Sequence, residues 1–155
     1  MSETIRIADQ LRRAFNGHAW HGDSLYKILD GVTAAQAAAH PIPNAHSIWE
    51  LVLHIAAWDG AVLGRLGGEA GRVSKARNFP LITDTSEAAW RSALDHLKQV
   101  HEELVAAVAA FPDSCLIRHV PGNKPAHHTY YYMLHGVVQH ELYHAGQIAL
   151  LKKTL

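Results

Sequence analysis

HGVVQHELYHAGQIALLKK, residues 135–153, decides how this chain folds. Met133, Val137, His140, His144, Ile148 and Leu151 step by three and four, the spacing of one face of an α-helix. The pattern predicts a helix over about residues 129–151. His140 and His144 are one turn apart, separated by about 6 Å of rise, and project from the same face. That face is otherwise apolar. A single core histidine is most simply read as a hydrogen-bonded residue. Two imidazoles buried side by side both need partners, and one divalent metal ion supplies a partner to both. Gln147 continues the same polar edge.

Working outward, three more amphipathic segments appear. The first spans about residues 3–30, with Ile7, Leu11, Ala14, His18, His21, Leu25 and Ile28 as its stripe. Gly17 and Gly22 predict a bend or break near Trp20, and Gly31 a stop. The second begins near Ser47, an N-cap with Glu50 three residues on in the capping-box pattern. It runs to about residue 66, before Gly67 and Gly68. The third spans about residues 86–110 through Trp90, Leu94, Leu97, His101, Leu104 and Val108. The connector at residues 33–47 is punctuated by Pro41 and Pro43, and residues 111–128 read as irregular, with a short strand at about 116–120. Four long helices joined by long connectors predict an all-α fold. It is a four-helix bundle with room for crossover connections, formed by residues 1–155 as one domain.

His54 lies between the inward-facing Leu51 and Trp58 of the second segment. Facing helices of a bundle are where metal sites are built, so His54, His140 and His144 form a candidate three-histidine site. Three protein ligands leave a position for water or substrate, as in catalytic zinc sites. Glu141 is placed by local helix geometry to act as a base there, or as a supporting carboxylate. Glu50, one turn before His54, either orients that imidazole or only caps its helix. His21 is a candidate pocket residue, and His18 and His101 are core histidines or spare ligands. His46, His127 and His128 fall in connectors or at helix starts and read as solvated. Of the run Tyr130, Tyr131 and Tyr132, at least one points to a pocket mouth or an interface. Cys115 has no partner that would make it a nucleophile.

HELYH, residues 140–144, is also the helix signature of zinc metalloproteases. Those enzymes take a third ligand downstream, either a His six residues on or a Glu further along. Here that position is Leu150, and no acidic residue follows His144. With no sheet edge to hold a peptide, proteolysis is not the expected chemistry.

Composition narrows the classes further. Lys+Arg and Asp+Glu are both 14, giving zero formal charge and no basic stripe for nucleic acid. One cysteine excludes an internal disulfide and suits a reducing cytoplasm. No signal-peptide core and no apolar run long enough to span a membrane is seen. The 13 histidines favour metal or proton chemistry.

The pair HSIWELVLHIAAW and HGVVQHELYHAGQIALLKK, with AWHGDSLYKIL in the first segment, resembles the DinB/YfiT-like superfamily of metal-dependent four-helix proteins. The resemblance covers nearly the whole chain. It implies a divalent ion on His54, His140 and His144, a crossover bundle and a homodimer. It also implies a small-molecule substrate, including reactions with low-molecular-weight thiols. Zinc or nickel is the expected ion, ahead of iron, manganese and copper. The alternative in another class is a non-catalytic metal- or ligand-binding stress-response protein.

Overall fold

Every long helix starts where a hydroxyl can cap it. Ser2, Ser47, Ser86 and Thr129 are extended, and each accepts a hydrogen bond from the backbone N–H three residues on. At Ser47 the capping box is complete, because the Glu50 carboxylate returns to the Ser47 N–H at 2.8 Å. The structure is a computed structural model and describes residues 2–70, 72–122 and 128–155. Among these, the helices are α1 (Glu3–Phe15), α2 (Leu25–Leu29), α3 (Ala34–Ala38), α4 (Ile48–Leu66), α5 (Lys75–Asn78), α6 (Glu87–Ala110) and α7 (Tyr130–Lys152). A single 3₁₀ turn covers Asp113–Cys115.

Sequence periodicity places α4, α6 and α7 within a residue or so of their observed ends. In the first segment the bend or break expected near Trp20 is a break: α1 stops at Phe15 and α2 starts at Leu25. The Gly17 amide closes back onto the Arg12 carbonyl at 2.9 Å, and a Cβ at Gly17 would meet Arg13 Cα at 3.0 Å. Gly22 then takes φ +131°, open only to glycine at low cost. His18 and His21 therefore lie on an exposed loop rather than on a helix stripe. The connector before α4 is more ordered than its prolines suggest, since Thr33 and Gln36 form a second capping box that starts α3. No strand forms at residues 116–120. A single antiparallel bridge, His119 to Thr129, lays this return segment along the start of α7.

Four long helices, α1, α4, α6 and α7, form the bundle. α6 packs on α1 and α4, and α7 also packs on α1 and α4, so each pair lies across a diagonal. The connections α1-to-α4 and α6-to-α7 thus cross the bundle, which is why both are long. α2 rests on α7, α3 on α4 and α6, and α5 on α4. The apolar core falls into two clusters. One gathers Phe15, Ile55, Ala56, Leu97, Val100, Ala145 and Ile148. The other gathers Leu11, Val62, Leu104, Val105, Leu134 and Val137. No helix among the described residues is long and apolar enough to cross a membrane.

Candidate metal centre

His54 on α4 meets His140 and His144 on α7, where these two helices pack face to face. The Nε2 atoms of His54 and His140 are 3.0 Å apart, and those of His144 and His140 are 3.1 Å apart. The outer nitrogens are already committed. His54 Nδ1–H donates to the Asn78 carbonyl at 3.0 Å, and His144 Nδ1–H donates to Gln147 Oε1 at 2.6 Å. These bonds fix both tautomers and leave lone pairs on both Nε2 atoms, aimed at His140. His140 can offer one Nε2 proton at most, so at least two lone pairs face each other. His140 Nδ1 is buried with no hydrogen-bond partner among the described residues.

Protonation does not resolve this conflict. Burial lowers the pKa of all three rings, and for His140 the neighbouring His144 and His54 add to it, taking the value down to about 3. A cation with low coordination number does resolve it. Metal–nitrogen bonds of about 2.0–2.1 Å at tetrahedral angles place ligand nitrogens about 3.3 Å apart, close to the spacing observed. The donor set therefore fits a divalent ion.

Short helix α5 buttresses the site. Ser74 caps it, and its last residue, Asn78, also accepts Trp58 Nε1–H through Oδ1 at 2.8 Å. Phe79 stacks on His54 with ring centroids 4.4 Å apart. The other face of Phe79 carries His46. The three histidines open onto a cavity of about 390 Å³ walled by Trp58, Val62, Met133, Val137, Tyr132 and Tyr143. Arg65 also lines it, buried, with its guanidinium 5.7 Å from the Trp58 ring centroid. No carboxylate lines the cavity among the described residues.

Several residues singled out from sequence sit elsewhere. Glu50 does not reach His54. Its carboxylate caps Ser47 and accepts from His40 and His46, both at 3.2 Å, while the His54 Nδ1 points to Asn78. His21 is exposed beside a groove between α1 and α7, because α1 ends before it. His128 lines the cavity rather than being solvated, and Tyr132 is the tyrosine that reaches its mouth. His127 lies outside the described residues. Cys115 is half-buried in the 3₁₀ turn, away from the cavity.

Glu141 departs most from expectation. It is fully buried and absent from the cavity wall, and its Oε1 is 2.7 Å from His101 Nδ1. Asp59 of α4, not foreseen, approaches the same nitrogen at 3.3 Å. Burial alone would lower the His101 pKa, but hydrogen bonds and charge from Asp59 and Glu141 outweigh it and hold the ring at about 9. Burial also raises both carboxyls, Glu141 to about 8. Among the described residues, two groups are thus able to hold a metal ion, His54–His140–His144 and Asp59–His101–Glu141.

The family model described as DinB superfamily matches residues 18–148. No curated protein and no solved structure matches the chain.

Proposed function

The chain belongs to the DinB superfamily, and on that premise we propose that it is a metal-dependent enzyme. His54, His140 and His144 hold a divalent ion, zinc or nickel, and the reaction sets a thiol or water against a small electrophile. A bound divalent ion supplies Lewis acidity, lowering the pKa of a thiol or water beside it so that a nucleophile exists at neutral pH. The rest is the work of the chain. Asn78 and Gln147 hold the Nδ1 protons of His54 and His144 and so keep both Nε2 lone pairs on the cavity side. Trp58, Val62, Met133 and Val137 exclude water from one side of the reactants. Arg65 brings a guanidinium, a hydrogen-bond donor, to the cavity wall. Tyr132 and Tyr143 bring phenolic hydroxyls to the same cavity.

The observation that carries this reading is the convergence of three Nε2 atoms at 3.0 and 3.1 Å with the outer protons of two rings already used. Elemental analysis of the wild type and of His54→Ala, His140→Ala and His144→Ala tests the ligand set. Full occupancy in one variant removes that residue from the set. A screen of low-molecular-weight thiols against small electrophiles tests the chemistry, with turnover expected to stop on chelation. Metal without turnover across such a screen favours a binding protein instead.

A further inference from the structure

The two apolar clusters of the bundle are separated by a polar layer. Along α4, Ile55 and Ala56 belong to one cluster and Val62 to the other, with Asp59 between them. Along α6, His101 divides Val100 from Leu104, and along α7, Glu141 divides Val137 from Ala145. Asp59, His101 and Glu141 are 0%, 2% and 0% exposed. The Phe15 ring stacks on His101 at 4.0 Å and closes the layer from α1.

This layer is not chemically complete. Two carboxyls meet one imidazole, so with His101 protonated the layer is neutral only if one carboxyl keeps a proton or a cation enters. Only one N–H faces them. Asp59 Oδ1 and Glu141 Oε2 are buried with no hydrogen-bond partner among the described residues. An unpaired buried carboxylate oxygen is expensive, and two together call for a neutralising proton or cation. The three donor atoms lie within 4.8 Å of one another, two of the separations being 2.7 and 3.3 Å. Bonds of about 2.0–2.2 Å from one centre put donor atoms about 3.0–3.5 Å apart, so the 3.3 Å pair already fits and the 2.7 Å pair needs only to open slightly.

We propose that Asp59, His101 and Glu141 form a second, oxygen-rich site for a divalent ion of the manganous or ferrous kind, inside the bundle and separate from the three-histidine centre. Two carboxylates, a neutral imidazole and a dication sum to zero charge. Two oxygens and one nitrogen suit a harder ion than three imidazoles do, so the two sites select different metals. Because the layer is closed on all sides, the ion enters during folding or local opening. It then ties α4, α6 and α7 together at the centre of the bundle.

Manganese alone is the probe. The wild type and the triple variant His54→Ala/His140→Ala/His144→Ala are unfolded, refolded with manganous chloride, desalted and assayed for bound metal by elemental analysis and electron paramagnetic resonance. The triple variant is expected to keep about one equivalent, and Asp59→Asn added to it to keep under a tenth of that. A folded triple variant with no manganese overturns the proposal and leaves a proton shared by the two carboxyls as the neutralising group. Unchanged metal after Asp59→Asn also overturns it. Should Asp59→Asn fail to fold, Glu141→Gln and His101→Gln make the same comparison. Failure of the three-histidine reading has a different signature: wild type and triple variant refolded with zinc instead carry the same metal content, no equivalent being lost with the three histidines.

Discussion

Acidifying the metal-free chain should destabilise it through His140, and the size of the effect follows from that ring's surroundings. Its pKa falls from 6.5 to about 3 on folding, because burial and then the neighbouring His144 and His54 disfavour its charge. Between those values the unfolded chain binds a proton at this position and the native chain does not, so stability drops as pH falls. Nothing is lost above pH ~6.5. From pH ~7 to pH ~5, at 1.36 kcal/mol per pKa unit, the loss is about 2 kcal/mol. The ring is partly exposed, and screening reduces this to about 1 kcal/mol. In a chain of this length that shifts Tm by about 2–4 °C. The assay is thermal melting by circular dichroism in chelator, comparing wild type with His140→Ala across this range. His101 acts in the opposite direction. Its pKa is raised, so its stabilisation is present below pH ~6.5 and is lost as pH rises toward its folded value, but it is common to both proteins and cancels in the difference. The wild type should lose about 1 kcal/mol more than the variant on acidification. Parallel curves would refute the reasoning, since they would mean that the His140 ring titrates normally in the native bundle.

Three further outcomes follow from particular contacts. Gln147→Leu removes the acceptor that holds His144 Nδ1–H and should weaken zinc binding about 10–100-fold in a competition titration, with the fold intact; unaltered affinity would show that the tautomer is held by other means. Glu50→Ala should cost about 1 kcal/mol in denaturant unfolding through the lost α4 capping box, yet leave metal affinity unchanged, because the carboxylate stops at Ser47, His40 and His46. The family further leads us to expect a homodimer, so light scattering should give about twice the 17.1 kDa chain mass, and a species of the chain mass alone would remove that expectation.

How much of this was legible from the sequence depends on helical phase. The caps Ser47, Ser86 and Thr129 and the three-four stepping were enough to place α4, α6 and α7. Short α3 and α5 carry too few residues for a periodic signal, and Asn78, which holds His54, came only with α5. The misreading of Glu141 is instructive. With His140 as origin and about 100° per residue, the buried residues of α7 span about 20° to about 140°, from Met133 and Leu151 to Ala145. His144 falls near ~40°, Glu141 near ~100° and His140 at the edge of the arc. A stripe drawn through His140 leaves out Leu134 and Ala145 and so puts the seam too far to one side. The carboxylate, not either histidine, lies closest to the midline.

That phase explains why HELYH does not work as one unit here. Side chains at the edge of the buried arc face the neighbouring helix, and His140 and His144 accordingly meet His54 on α4. A side chain at the midline faces the bundle axis, where alone it can touch the helix across the diagonal. Glu141 does so, reaching His101 on α6 at 2.7 Å, a helix with which α7 otherwise makes little contact. Asp59 obeys the same rule. Counted from His54 on α4 it sits near ~140°, well inside the buried arc, and so turns to the axis while His54 turns to α7. In a protease helix the Glu beside the first ligand is valuable because it shares the metal's water. Here, one residue of helical rotation carries it out of the cavity and into the core. The same five residues therefore serve two separate places in the bundle, and acid–base work in the cavity falls to groups that line it.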